Sequence, residues 1–278
     1  MRKKLTFIII ILMSISFCNA QMILNAENLR VSMLKGKENW AGSAGVSFSF
    51  IKNINEIFNV NTNIAVGYNG GENLWMIISN INFNKIDGDA FQNSGVQHFR
   101  YNRELSKRTA FEAFLQGQYD KISNIDFRGL AGLGLRFELT NHDKKIDNTD
   151  STDKEKGRIY FGSSVMYEYE KSTEEAVNVF QRDIRSSNYL SFTLYPTKLF
   201  TIVSTTYFQP KIDLLKDYRL SSVIDLNIGF SSNDKEEDKS FWDKLTFNIS
   251  FSYNYDAFPV IAIPKTQYSL TNGLRYNF

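Results

Sequence analysis

Hydrophobic and polar residues alternate along most of this chain with a period of two. Between Phe127 and Leu139, every odd-numbered residue is apolar or glycine, whereas the even-numbered residues include Arg128, Arg136 and Glu138. Residues i and i+2 of a strand lie on the same face of a sheet. This segment therefore predicts a β-strand with one apolar face and one polar face.

The same alternation recurs along the chain, separated by short polar stretches. It predicts strands over residues 41–51, 57–69, 73–84, 94–104, 109–120, 126–139, 158–170, 188–196, 199–209, 219–231, 243–255 and 266–278. Most of these segments reach the roughly 9–11 residues that a tilted strand needs to cross a bilayer. Strands of soluble proteins are usually about five or six residues long.

The predicted fold class is therefore all-β: an antiparallel, up-and-down transmembrane β-barrel of about twelve strands. A soluble β-sandwich or barrel is the less favoured alternative, because it would hide its apolar faces inside and use shorter strands. An even number of strands places both termini on the periplasmic side of the membrane.

The polar connections have two expected locations. Turn signals at 69–72 and 196–198 predict short periplasmic turns. The outward loops are predicted at 52–56, 85–93, 121–125, 171–187, 210–218 and 256–265. Two further links, 140–157 and 232–240, are charged and unusually long for periplasmic turns.

The first twenty residues have the pattern of a secretory signal peptide. Three basic residues, 2–4, precede an apolar run over 5–13, and small residues at positions 18 and 20 precede the expected cleavage site after Ala20. Cleavage leaves a periplasmic segment over 21–39 and a barrel over 40–278. It removes the one cysteine and changes the formal charge from +2 to −1, since residues 1–20 hold three basic residues and no acid. This near-neutral balance gives no basic surface for nucleic acid.

Composition supports a barrel in a membrane. Aromatic residues make up 14 % of the chain while charged residues make up 22 %, which fits strands that turn only alternate residues toward lipid. Trp40, Trp75 and Trp242 fall near predicted strand ends, where interfacial aromatic girdles lie.

The final strand carries a predicted assembly signal. Apolar and aromatic residues alternate from Tyr268 to the terminal Phe278, and Tyr276 and Phe278 resemble the signal that the barrel assembly machinery reads. The expected partners are this machinery and outer-membrane lipid, and the expected state is a monomer.

No pattern of catalytic, cofactor-binding or metal-binding residues stands out. Gly129, Gly132 and Gly134 lack the lysine and helix of a phosphate loop, so they predict close backbone packing within a strand. Only two histidines are present, and His142 falls in a polar link. We therefore expect neither an enzyme nor a cofactor; a barrel-embedded hydrolase using His98 as its base is the least favoured option.

The inward faces of the predicted strands carry charges of both signs. The lumen-facing candidates are His98, Arg100, Glu112, Asp120, Arg128, Arg136, Glu138, Arg158, Glu168, Asp225 and Arg275. They could pair across the interior and fill it, or line a narrow polar pore. In a pore, a positive ridge of Arg100, Arg128 and Arg136 would favour anions.

Two functions remain open at this stage. The first is a narrow channel for ions or small solutes. The second is a closed structural or stress-response barrel that binds partners through outward loops such as 171–187.

Several framework motifs resemble a known family. They are Trp40-Ala-Gly-Ser-Ala-Gly, Phe99-Arg-Tyr-Asn-Arg-Glu-Leu, Phe111-Glu-Ala-Phe-Leu-Gln-Gly-Gln-Tyr119, Phe127-Arg-Gly-Leu-Ala-Gly-Leu-Gly-Leu-Arg136 and the closing Tyr276-Asn-Phe278. Together they resemble the domain-of-unknown-function family numbered 481, described as salt-induced outer-membrane proteins. The resemblance spans Trp40 to Phe278, implies a barrel in the outer membrane, and carries over no active site.

Overall fold

The structure is a computed structural model that describes residues 39–52, 56–86, 89–121, 123–140, 157–174, 177–197, 199–231, 241–261 and 264–277. The predicted signal peptide, the segment 21–38, the link 232–240, most of the link 140–157, His142 and Phe278 lie outside these residues. Among the described residues, no helix is both long and apolar enough to cross a membrane.

Twelve antiparallel strands form one closed barrel. They are β1 (Trp40–Lys52), β2 (Glu56–Asn69), β3 (Asn73–Ile86), β4 (Asp89–Ser106), β5 (Thr109–Asp120), β6 (Ile125–Glu138), β7 (Gly157–Glu174), β8 (Val177–Leu194), β9 (Phe200–Pro210), β10 (Tyr218–Gly229), β11 (Leu245–Asp256) and β12 (Thr266–Asn277). A short helix, α1 (Phe241–Lys244), precedes β11. Each strand pairs with its neighbours in sequence, and β1 closes on β12. The predicted fold class is confirmed.

The apolar faces point outward and the polar faces point inward. Val46 is 73 % exposed and Leu133 is 60 % exposed, whereas the charged side chains of Arg128 and Glu168 are 1 % and 0 % exposed. This distribution is the reverse of that in a soluble protein, where large apolar side chains are the most often buried. It is the distribution of a barrel whose outer surface contacts hydrocarbon, and it excludes the soluble alternative.

Aromatic side chains cluster at both ends of the barrel. At the end formed by the short turns, hereafter the turn end, Trp75 packs against Tyr101 with ring centroids 4.2 Å apart. At the opposite end, hereafter the loop end, the ring of Tyr218 contacts those of Phe208 and Tyr255. Two such belts mark the interfaces of a membrane barrel.

All three tryptophans lie exposed near the turn end, as girdle residues would. Trp40 and Trp75 are in strands, but Trp242 is in α1 and not at the start of a strand. The predicted strand over 243–255 begins at Leu245, because residues 241–244 form a single helical turn first.

The predicted outward loop over 171–187 is wrong. β7 continues to Glu174 and β8 begins at Val177, so the stretch 171–187 forms the loop-end part of a long β7–β8 hairpin. The predicted loop over 85–93 is also largely strand, since β3 reaches Ile86 and β4 begins at Asp89. Where a hairpin extends beyond hydrocarbon, backbone pairing persists but neither face must be apolar, so the alternation that marks a strand in the sequence disappears.

Inward-facing glycines make room for aromatic rings on neighbouring strands. A Cβ atom on Gly162 would lie 2.1 Å from the ring of Tyr189, and one on Gly132 would lie 2.5 Å from the ring of Phe114. A Cβ atom on Gly134 would lie 2.2 Å from the Ser163 carbonyl oxygen. The prediction of close backbone packing is confirmed at Gly134, whereas the close neighbours of Gly132 and Gly129 are the rings of Phe114 and Phe127.

Replacing Gly162 by alanine should therefore destabilise the barrel. The added methyl group must displace the Tyr189 ring, and such overpacking costs about 1–3 kcal/mol. Urea unfolding in detergent micelles, followed by tryptophan fluorescence, measures this loss.

The matched control is Gly273→Ala, because a Cβ atom there would meet nothing within 4 Å. This variant should be as stable as the parent or slightly more so, since alanine restricts the unfolded chain. Equal unfolding midpoints for the two alanine variants would contradict the packing of Tyr189 over Gly162.

Candidate functional site in the barrel interior

The loop-end half of the interior holds a connected set of charged side chains, hereafter the outer network. Its members are Arg128, Glu168, Glu170, Asp183, Arg185, Lys211, Asp217, Arg219 and Asp256. Four basic side chains face five acidic ones, so its formal charge is −1. Strand register builds it, because Arg128 lies opposite Glu170, Glu168 opposite Asp183, and Arg219 opposite Asp256.

Glu168 is the centre of the outer network. Arg128 donates from Nε to its Oε1 at 2.5 Å, and Arg185 donates from Nε to its Oε2 at 2.8 Å. Arg219 donates from Nη1 to Oε1 as well. Three arginines on three strands therefore share one carboxylate that is fully buried.

The remaining acids complete the pairing of these arginines. Arg219 donates from Nε to Asp256 at 2.7 Å, and Arg185 donates from Nη2 to Asp217 at 2.9 Å. At the loop end, Lys211 lies 2.9 Å from Asp183. The hydrogen bond to Asp183 raises the pKa of the Lys211 amine above its usual value. Because every cation has an anionic partner, buried charge of one sign does not accumulate.

A second group of polar side chains, hereafter the inner cluster, lies toward the turn end. Tyr189 donates from its hydroxyl to Glu112 at 2.5 Å, and Asn102 donates to the other oxygen of Glu112 at 2.7 Å. The Arg136 guanidinium stacks 3.8 Å from the centroid of the Tyr160 ring and lies 3.7 Å from Glu112. Cation–π contact and the nearby carboxylate together stabilise this buried cation.

His98 lies between the two groups. Its Nδ1 is 2.9 Å from the Gln116 side-chain oxygen, and its ring stacks on Phe114 with centroids 5.9 Å apart. The enclosed space around His98, Arg100 and Met166 amounts to about 30 Å³, room for a few water molecules at most. This side of the interior is therefore filled.

The geometry around His98 does not resemble a catalytic site. A nucleophile–base–orienter arrangement needs a hydroxyl or thiol on one ring nitrogen and an orienting group on the other. In the described part of the chain, the polar contact of the His98 ring is the side-chain amide of Gln116. Within the same residues, no group of three or more His, Cys, Asp or Glu side chains is arranged to hold a metal ion.

The opposite side of the interior is built differently, and we call it the neutral sector. It is lined by inward-facing residues of β11, β12, β1, β2 and β3, which are Gly45, Asn59, Asn61, Asn63, Asn80, Asn82, Asn248, Ser250, Ser252, Ser269, Thr271 and Gly273. None of these residues carries a charge, and none is buried; the inward-facing Arg275 of β12 borders the sector toward the turn end, and Asp256 of β11 borders it at the loop end. Because these residues face inward, their exposure reflects open space within the barrel.

Hydrogen bonds between neighbouring strands order the neutral sector. Asn63 donates to Asn80 at 2.7 Å, and the hydroxyls of Ser252 and Ser269 are 2.7 Å apart. Toward the turn end of β2–β4, Met76 and Ile78 pack in a small apolar cluster that narrows the interior there. Amides and hydroxyls therefore line the open side, and the apolar cluster that contains Met76 and Ile78 borders it.

The predicted lumen-facing residues occupy the interior to different degrees. The buried ones are His98, Arg100, Glu112, Asp120, Arg128, Arg136, Glu168 and Asp225. Glu138, Arg158 and Arg275 are partly buried. The outer network contains Arg128 and Glu168, and the inner cluster contains Glu112 and Arg136.

The expected positive ridge of Arg100, Arg128 and Arg136 does not form. Arg128 and Arg136 lie eight residues apart on the same strand, β6, so they belong to opposite ends of the interior. Each also has its own carboxylate partner, Glu168 for Arg128 and Glu112 for Arg136. The prediction of a ridge assumed that the three arginines are unpaired, whereas carboxylates on the strands adjacent to β6 neutralise Arg128 and Arg136.

Sequence reasoning missed much of the outer network. Asp183 and Arg185 were assigned to a loop, and Asp217 precedes β10. Arg219 could have been found, because it shares the inward parity of Ser221 and Asp225 on a predicted strand. Alternation identifies which residues face inward, but it does not identify charges contributed by loops.

Neither the family models nor the curated proteins match this chain. Among solved structures, the NanC porin is similar at a TM-score of 0.45 and 13 % identity, covering 85 % of this chain and 98 % of that one. The CymD monoaromatic hydrocarbon channel is similar at 0.40 and 9 %, covering 94 % of each chain. The translocator domain of the autotransporter NalP from Neisseria meningitidis is similar at 0.42 and 7 %, covering 90 % and 93 %. At TM-scores below 0.5, these likenesses carry no conclusion about function.

Glu168→Gln should strongly destabilise the barrel, because three buried arginines would lose their shared anion. Removing one partner from a buried ion pair costs about 3–5 kcal/mol. The free energy of unfolding in urea, with the protein in lipid vesicles or micelles, tests this expectation.

Glu104→Gln is the matched control, since Glu104 is an exposed residue near the end of β4. Surface substitutions usually change stability by less than about 0.5 kcal/mol. A Glu168→Gln variant as stable as this control would show that the outer network does not hold the strands together.

Proposed function

We propose that this protein is an outer-membrane channel whose conducting path follows the neutral sector. The observation that carries the proposal is the contrast between the two sides of the interior. The residues of the outer network other than Lys211 are buried, whereas inward-facing Thr271 and Gly273 on the opposite wall are exposed. Space for water and solute is therefore available beside a filled charged wall.

The chemistry of the path favours small hydrophilic solutes without strong selection by charge. Asparagine amides and serine hydroxyls offer hydrogen-bond donors and acceptors but no net charge. The charges on the facing wall are paired with each other, which reduces the field they project into the path. We therefore propose weak ion selectivity, in place of the anion selectivity that the arginine ridge would have given.

The outer-membrane location and the processing of the chain belong to the same proposal. The signal-peptide pattern over 1–20, cleavage after Ala20, and the terminal assembly signal remain predictions. Contact with outer-membrane lipid, insertion by the assembly machinery and a monomeric state are proposed with them. Membership in family 481 also remains a prediction, supported by the framework motifs from Trp40 onward.

Single-channel recording in planar bilayers tests the proposal. Folded protein should produce small, discrete conductance steps with a reversal potential close to zero in a salt gradient. Absence of conductance from protein shown to be folded would overturn the channel and favour a closed structural barrel.

A pair of tryptophan substitutions on β12 locates the path. Thr271→Trp places a bulky ring in the neutral sector and should reduce the conductance, whereas Asn272→Trp adds the same ring on the outer face and should not. The measurement is the single-channel current at fixed voltage. Equal currents in both variants would place the path elsewhere.

A further inference from the structure

The closing contact between β1 and β12 is much shorter than the other strand pairings. β1 pairs with β2 along its whole length, from Trp40 to Lys52. Among the described residues, it pairs with β12 only at Ser43–Asn277 and Ala44–Tyr276. Beyond this point, residues 45–52 of β1 and residues 268–275 of β12 would lie opposite each other in this register but form no ladder, and we call this gap the seam.

The shortness of this pairing is not imposed by the lengths of the two strands. Continued in the same register, the ladder would place Val46 opposite Leu274 and Phe48 opposite Asn272, and both strands extend past these positions. The strands still approach each other where the seam begins, since a Cβ atom on Gly45 would lie 3.8 Å from the Leu274 carbonyl oxygen.

An open seam is costly within a bilayer unless something satisfies its backbone groups. Hydrocarbon offers no hydrogen-bond partners, so every N–H or C=O group left unpaired there strongly destabilises the barrel. The strands pair only near the turn end, so the gap extends from there along most of β1 and β12 to the loop end. Water and polar groups that enter from the interior can serve as partners there.

The two sides of the seam have opposite chemistry. On the inside it opens onto the neutral sector, next to Thr271 and to Gly273, where a Cβ atom would meet nothing within 4 Å. On the outside it is flanked by apolar side chains, with Val46 73 %, Phe48 65 % and Leu274 59 % exposed. A molecule that spans this opening needs an uncharged polar part inside and an apolar part outside.

We propose that the seam is a lateral portal that binds an amphiphile with a neutral, hydroxyl-rich headgroup and an alkyl chain. The headgroup lies in the neutral sector, where amides and hydroxyls replace its water, and the chain passes between β1 and β12 into the bilayer. This proposal rests on the proposed function in one respect, because it requires that the neutral sector be open to water. It adds a route between the interior and the membrane.

An incoming β-strand, from another protein or a second copy, could also pair with the free edges. Such a strand would satisfy the unpaired backbone groups of β1 and β12, but its binding would not explain why uncharged hydroxyl and amide side chains lie behind the gap. The amphiphile accounts for both the edges and the neutral sector, so it is the occupant that the side chains favour.

Photolabelling with a dodecyl maltoside that carries a diazirine on its alkyl chain tests the portal. The mature protein is placed in lipid nanodiscs, labelled and digested, and the labelled peptides are identified by mass spectrometry. Labels should concentrate on residues 46–50 and 270–274. An analogue with a trimethylammonium headgroup on the same chain should label these residues much less.

A disulfide across the seam provides the matched variant. Val46→Cys with Leu274→Cys would lock the seam shut, and Phe247→Cys with Leu274→Cys would add a bond between β11 and β12, which already pair. The chain's one native cysteine, Cys18, precedes the barrel. Labelling at the seam should be lost in the first variant and unchanged in the second. If the first disulfide does not form, a longer bis-maleimide linker between the same cysteines should block labelling.

Uniform labelling around the barrel, or equal labelling by both headgroups, would overturn the portal. So would capture of a peptide or a second copy across the seam. Single-channel conductance separates this failure from that of the proposed function. A barrel that conducts but labels uniformly has a channel without a lateral portal, whereas one that neither conducts nor labels at the seam has neither.

Discussion

Three arginines converge on a single buried carboxylate, and the arrangement of the interior follows from that contact. Arg128, Arg185 and Arg219 come from β6, β8 and β10, and each contacts Glu168 on β7. A buried guanidinium is tolerated only with an anionic partner and further hydrogen bonds. Strands β6 and β8 flank β7, whereas Arg219 reaches Glu168 across the interior from β10, so these side chains fill the space between the strands.

Charged side chains fill only one side of the interior, so the other side stays open. Strands β11, β12, β1 and β2 contribute few charges to the interior, so nothing draws their short side chains across it. The Asn63–Asn80 and Ser252–Ser269 hydrogen bonds run along the wall, between adjacent strands, and not toward the opposite wall. A water-filled path beside a filled wall can thus form in a barrel of only twelve strands. The weak closing pair of β1 and β12 lies on this same open side.

Most of the fold could be predicted from the sequence, but only part of the candidate site could. Period-two alternation predicted twelve strands and a closed barrel because hydrocarbon forces one face of each strand to be apolar. The same rule failed over 171–187, where the β7–β8 hairpin lies beyond that constraint. Alternation also predicted that Arg128 and Glu168 face inward, and both are buried. It could not predict which charges pair, because pairing depends on register between strands and on loop residues such as Asp217.

The division of the interior into a filled charged side and an open neutral side is tested most directly by cysteine accessibility. Single serine-to-cysteine variants keep the side chain nearly the same size. In folded protein, cysteines at Ser250 and Ser269, which are partly exposed, should react rapidly with a small water-soluble thiosulfonate. Cysteines at Ser187 and Ser191, which are buried, should remain unreacted until the barrel unfolds. Similar reaction rates at all four positions would contradict the account.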